Sequence, residues 1–146
     1  MDVSASGVRS PIAAARLADA ARAVLRAERV RNALLSVALV DRRAIARLNR
    51  AHLGHRGVTD VISFSFARAS ARDAVIGDIY IAPEVARENA EARGVPVREE
   101  LLRLVVHGTL HVLGHDHPEG QMRERSAMWR CQERIVHRLS KRASAR

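Results

Sequence analysis

Three histidines set the chemistry open to this chain. They stand in the run His107-Gly-Thr-Leu-His111-Val-Leu-Gly114-His115-Asp116-His117. The first two are four residues apart in a segment that reads as a helix, so both imidazoles fall on one face, a turn apart. Two such rings can converge on one ion, with Zn–N bonds of about 2.0–2.1 Å. Gly114 follows three residues later. Glycine there accepts positive φ, ends the helix and turns the chain back, which would carry His117 to the same ion. Three protein ligands leave the fourth tetrahedral position to water, the catalytic form of a zinc site. The expectation is therefore one Zn2+ per chain, held by His107, His111 and His117; imidazole donors also suit nickel and iron. His115 is the rival third ligand, but it follows the glycine at once and would have to point back early, so His117 is preferred. Asp116 is a candidate to orient a ligand ring through its other nitrogen; its alternative role is a turn residue bonded to local backbone.

The spacing H-x-x-x-H-x-x-G-x-x-H is that of metzincin proteases. In those enzymes a glutamate follows the first histidine and acts as the general base. Here that position is Gly108, which has no side chain to take a proton. The spacing thus points to a zinc hydrolase while Gly108 argues against ordinary peptide hydrolysis. No residue identifies itself as the general base.

These histidines need elements to hold them. Glu99 to Leu113 reads as the helix that carries them, stopping at Gly114. Ser10-Pro11 reads as the N-cap and first position of an alanine-rich helix from Ile12 to about Glu28. Ala33 to Val40 is an apolar, branched run and predicts a buried strand. Asp41 caps a helix that Gly54 ends. Val61–Phe66 and Val75–Ile81 predict strands, and Gly77 inside the second hints at a bulge or close backbone approach. Pro83 opens a helix through about Ala92, broken by Gly94 and Pro96. A last helix is predicted from about Glu119 to Leu139, followed by a frayed basic tail over 140–146. Helices and strands mix without strict alternation. The expected architecture is one α+β domain over 1–146: a small mixed sheet of three or four strands packed with about five helices, one of them a metzincin-like zinc helix.

Composition narrows the partner. The 146 residues, 47% of them hydrophobic, suffice for one core and not for two ordinary domains. Basic residues number 25 against 16 acidic, a net +9, and every one but Lys141 is arginine; that balance points to a polyanion, most commonly nucleic acid. Four aromatics, Phe64, Phe66, Tyr80 and Trp129, are too few for a base-stacking platform, so arginine and phosphate must carry RNA affinity. No apolar run approaches the ~20 residues that cross a bilayer, and Met1 to Ser10 is no secretory signal. Cys131 is the only cysteine, so no internal disulfide forms and the cytosol is the simplest compartment. Arg43, Arg47 and Arg50 share a helix face that could track a phosphate backbone or be simply solvated. Arg123, Arg130, Arg134 and Arg138 on the last helix carry the same two readings. Met122, Met128 and Trp129 read as core.

The histidine run resembles the signature of the YbeY family of bacterial ribosomal-RNA maturation factors, H-G-x-L-H-L-x-G-Y-D-H. Leu48-Asn49 with Thr59-Asp60-Val61-Ile62-Ser63-Phe64 is similar to that family's N-x-x-Y-R…P-T-D-V-L-S-F block, and Gly77-Asp78-Ile79-Tyr80-Ile81 to its G-D-I-x-I strand. Met128 and the Gln132-Glu133 pair also fit, so the likeness spans about Val37 to Ile135. The resemblance implies a single-strand-specific, zinc-dependent endoribonuclease that matures the 3′ end of small-subunit ribosomal RNA and serves ribosome quality control. Its partners would be ribosomal RNA and the small ribosomal subunit, with no membrane, and its place the cytoplasm. The family's zinc ligands carry over onto His107, His111 and His117. Three positions depart: His115 replaces a tyrosine, Leu53 replaces an arginine associated with RNA, and Val58 replaces a proline. Arg50 and Arg56, three residues either side of Leu53, are the candidates to substitute for that arginine. A zinc hydrolase of another substrate, peptidase-like, and a non-catalytic ribosome-associated metal module are the alternatives.

Overall fold

A computed structural model describes residues 1–116 and 126–144. Its strands are β1 (Asp2–Ser6), β2 (Ala33–Val40), β3 (Val61–Phe66) and β4 (Val75–Ile81). Its helices are α1 (Ala14–Ala27), α2 (Arg42–Leu53), α3 (Pro83–Arg93), α4 (Val97–Val112) and α5 (Ala127–Ser144). The four strands form one sheet in the order β1-β2-β4-β3. β1, β2 and β4 run parallel, and β3 pairs antiparallel with β4 through Val61↔Ile81 to Phe66↔Ile76. This is the mixed α+β domain expected, with four strands and five helices among the described residues.

One face of the sheet buries Leu35, Val37, Leu39, Ile79 and Ile81 in one core with residues of α1, α4 and α5. The opposite face is covered at one end by α2, where Val40, Ile45, Ile62 and Ala82 form a second cluster. The split follows from the period of two along each strand. Helix α1 presents Leu17, Ala20, Ala21 and Val24 to the core, the spacing of one helical face. Helix α4 is different: every residue from Glu100 to Leu110 is buried, because it lies between the sheet and helices α1, α3 and α5. The predicted caps of α2 are present: Asp41 Oδ1 accepts from the Ala44 N–H at 2.8 Å, and Gly54 sits at φ 68°.

Three expectations change. Strand β1 was not anticipated; its sequence Asp-Val-Ser-Ala-Ser is exposed nearly throughout, and only pairing with the edge of β2 makes it a strand. Helix α1 starts at Ala14 behind an Ala13 N-cap, not at Pro11. The Ser10 hydroxyl instead closes a local turn, bonding both the carbonyl and the N–H of Ile12. The C-terminal helix continues to Ser144, so most of the stretch expected to fray is helical; its expected first turns, over 119–125, lie outside the described residues.

Candidate metal centre

Helix α4 opens at Pro96, carries Glu99 and Glu100 in its first turn, and delivers His107 and His111 near its C-terminal end. The two imidazoles lie against each other, centroids 4.6 Å apart and planes at 76°. The chain then turns as the sequence suggests. Gly114 adopts φ 99°, its N–H bonds the His111 carbonyl at 3.0 Å, and the His115 N–H bonds the Leu110 carbonyl at 3.0 Å. The Nε2 of His115 pairs with the carboxylate of Glu28, the C-cap of α1. Asp116 is exposed at the end of the described segment. His117, the expected third ligand, lies outside the described residues, and among the described residues no third His, Cys, Asp or Glu joins the pair.

His107 is 6% exposed and its ring is held from behind. Its Nδ1 lies 2.7 Å from Gln132 Oε1 on α5. Nε2 is therefore the nitrogen with which His107 would bind an ion. The donor set fits a zinc ion: two imidazoles a turn apart and in contact, one already anchored through the nitrogen that a ligand does not use. The anchoring role imagined for Asp116 is filled, for His107, by Gln132. Sequence reasoning placed Gln132 in a family-like pair without giving it a task. The available signal was a polar residue on the face Met128-Gln132-Ile135-Val136, all of which are buried.

Behind Gln132 stands a part-buried charge network. Gln132 Nε2 donates to Glu133 Oε2 at 3.0 Å. Glu133 in turn takes two bonds from Arg103, Nε–Oε2 and Nη2–Oε1, both 2.9 Å, and Arg103 Nη1 reaches Glu100 at 3.0 Å. Burial works to raise the Glu133 carboxyl, but the bonds from Arg103 and Gln132 outweigh it and hold Glu133 below the usual carboxylate range. Burial wins at Glu100 and pushes it up despite Arg103 and Arg93.

Gly108 is set against the sheet. A Cβ built there would stand 2.8 Å from Ile79 Cγ2 and 3.4 Å from Val61 Cγ2. Gly77 of β4 answers the hint of a close approach: a Cβ there would lie 2.5 Å from Val112 Cγ1. Both contacts show β4 pressed onto α4 by its odd-numbered residues. Asp78 points to the other face and accepts from Ser36 Oγ at 2.7 Å.

The arginine candidates come together in part. Arg47, Arg50 and Arg56 line one groove of about 440 Å³ with Ala46 and Gly57. Buried Asn49 donates to the Gly57 carbonyl at 3.2 Å, which ties the loop bearing Arg56 to α2. Leu53, at the departed family position, is exposed. Arg42 turns instead to Glu84 and Glu88 of α3. Met128 is buried as expected, whereas Trp129 is half-exposed under the Arg93 guanidinium, 5.4 Å from its ring centroid. Arg123 and Met122 lie outside the described residues.

Residues 5–140 match the family model described as Endoribonuclease YbeY. A curated protein of that name from Frankia alni is 40% identical over 134 residues, covering 83% of this chain and 72% of its own length. Another from Persephonella marina is 33% identical over 123 residues, with 83% and 80% covered. A third, from Acidothermus cellulolyticus, is 37% identical over 143 residues, with 84% and 87% covered. A Thermotoga maritima protein solved in solution superposes with a TM-score of 0.65 over 99% of this chain and 93% of its own, at 23% identity, a likeness of fold.

Proposed function

This chain belongs to the YbeY endoribonuclease family, and we propose that it is a zinc-dependent enzyme that cuts single-stranded RNA in the cytoplasm. Its substrate on this reading is the 3′ region of small-subunit ribosomal RNA, met on the small ribosomal subunit, in maturation and in quality control. The observation that carries the metal part is the contact of buried His107 with half-buried His111, with His107 anchored through Nδ1. His117 would complete the ligand set.

When bound, zinc supplies Lewis acidity, polarising a phosphoryl oxygen and acidifying water. The residues of the chain do the rest. Neutral imidazole donors leave the site its full positive charge, which suits an anionic substrate. Arg47, Arg50 and Arg56 bind the phosphate backbone along their groove and fix the strand's register. Gly108, wedged against Ile79, leaves no room for the carboxylate base of a zinc peptidase, which disfavours the peptide-cleaving alternative. The attacking group is water or the neighbouring 2′-hydroxyl, and product ends tell them apart, since a 2′,3′-cyclic phosphate implicates the ribose.

The test pairs metal analysis with cleavage of a single-stranded RNA. Wild type should carry about one zinc per chain and cut. The variants His107→Ala, His111→Ala and His117→Ala should lose metal and cleavage together. Cleavage that persists in metal-free protein would overturn the zinc reading. Metal removal that unfolds a protein unable to cut any RNA would favour the non-catalytic module.

A further inference from the structure

Gln132 sits in the core of α5 where Met128, Ile135 and Val136 share its face, and it is 1% exposed. A buried primary amide in such a place must satisfy both its ends. Its two neighbours are a histidine ring and a carboxylate, at 2.7 and 3.0 Å. The amide has two possible orientations, and the carboxylate decides between them. Glu133 carries two bonds from the Arg103 guanidinium and is ionised, so it can only accept. Turning the amide over would set its carbonyl oxygen against a carboxylate oxygen and waste both. The NH2 therefore faces Glu133, and the carbonyl oxygen faces His107 Nδ1. An oxygen there accepts only if Nδ1 bears the proton.

We infer that Gln132 is a positioning residue that locks His107 in its Nδ1–H form, and that the Arg103–Glu133 ion pair sets the direction of the Gln132 amide. The order of command runs from α4 through α5 and back to α4: guanidinium, carboxylate, amide, imidazole. Its consequence is a lone pair on Nε2 before any ligand arrives, at a ring already fixed in place. The metal consequence rests on the zinc reading above; the tautomer does not.

Two measurements separate them. The first uses the full chain without metal, at pH 8 where an ordinary imidazole is neutral, and reads histidine ring nitrogens by 15N NMR. Wild-type His107 should show the Nδ1–H form. Gln132→Met, close in shape and unable to accept, should shift His107 toward Nε2–H. Gln132→Glu brings a second carboxyl group against Glu133, so the two must share a proton; its other oxygen still accepts from His107 and should keep Nδ1–H. Glu133→Gln can donate as well as accept, so it frees the amide to turn and should give a mixture. The second measurement is zinc affinity by competition with a chromogenic chelator. Gln132→Met should bind about 10- to 100-fold more weakly, as losing an outer partner of a ligand histidine does, and Gln132→Glu should restore it. If Gln132→Met proves unfolded, the Gln132→Glu and Glu133→Gln spectra still decide. A wild-type His107 in the Nε2–H form, or one unmoved by both Gln132→Met and Glu133→Gln, overturns the inference. A wild type that shows the predicted tautomer and binds no zinc overturns the metal reading alone.

Discussion

Gly108 follows the first histidine of the run, where a zinc peptidase would carry its base, and packing explains the absence of a side chain. Ile79 is fully buried and branched at Cβ, so its Cγ2 cannot swing away from a new methyl group 2.8 Å distant. Gly108→Ala therefore sets two effects against each other. Alanine gains up to about 1 kcal/mol of helix propensity over glycine. Overpacking a tight core costs about 1–3 kcal/mol. The cost should win, lowering the urea midpoint by roughly 1 kcal/mol of stability; an unchanged or raised midpoint would show that β4 can yield. At this scale the sequence was readable where chemistry depends on local spacing. His107 and His111 could be paired from a four-residue interval, and the Gly114 turn from one glycine. Gln132 could not be assigned its task, because it meets His107 across 25 residues of chain and only the packing of α5 on α4 brings them together.

Elements that carry their own signals were likewise readable. β2, with a near-continuous apolar run, and β3 and β4 fall where expected, and α2 is bounded by its aspartate and its glycine. β1 is a strand by partnership rather than by composition, which no local pattern announces. The junction of α4 with α5 is also a matter of partnership, and it makes stability depend on pH in two opposed ways. Glu133 titrates below its ordinary range, so its contribution is present above the unfolded value of about 4.3 and is lost as pH falls through the lowered folded value. Glu100 titrates above its ordinary range, so the native state holds that proton more tightly, and its contribution declines as pH rises from the unfolded value through the raised one. Denaturation midpoints followed from pH 2 to 7 should accordingly show a shallower acid loss in Glu133→Gln and a shallower decline on the other side in Glu100→Gln. Parallel curves for wild type and Glu133→Gln below pH 4 would mean that the Arg103 pairing does not hold the carboxylate down.

At the scale of the whole molecule the excess of arginine acquires a direction. A net charge of +9 attracts any polyanion, so charge alone does not distinguish a binding groove from a generally basic surface. The fold offers the distinction. Arg47, Arg50 and Arg56 line one groove beside α2, on the sheet face opposite α1 and α5. Arg26, Arg138 and Arg142 line a second groove, between α1 and α5. Each arginine that neutralises a phosphate of a single strand releases counterions and adds about 0.7 to the slope of log affinity against log salt. Replacing Arg47, Arg50 and Arg56 one at a time by alanine should therefore flatten that slope by about 0.7 each for a single-stranded RNA, with zinc content unchanged. Arg26→Ala and Arg138→Ala remove the same formal charge from the other side, and they should leave the slope near the wild-type value if phosphate is held at α2. Equal flattening by both sets would mean that RNA is gathered by diffuse charge over the whole surface. The groove would then have no particular claim on the strand.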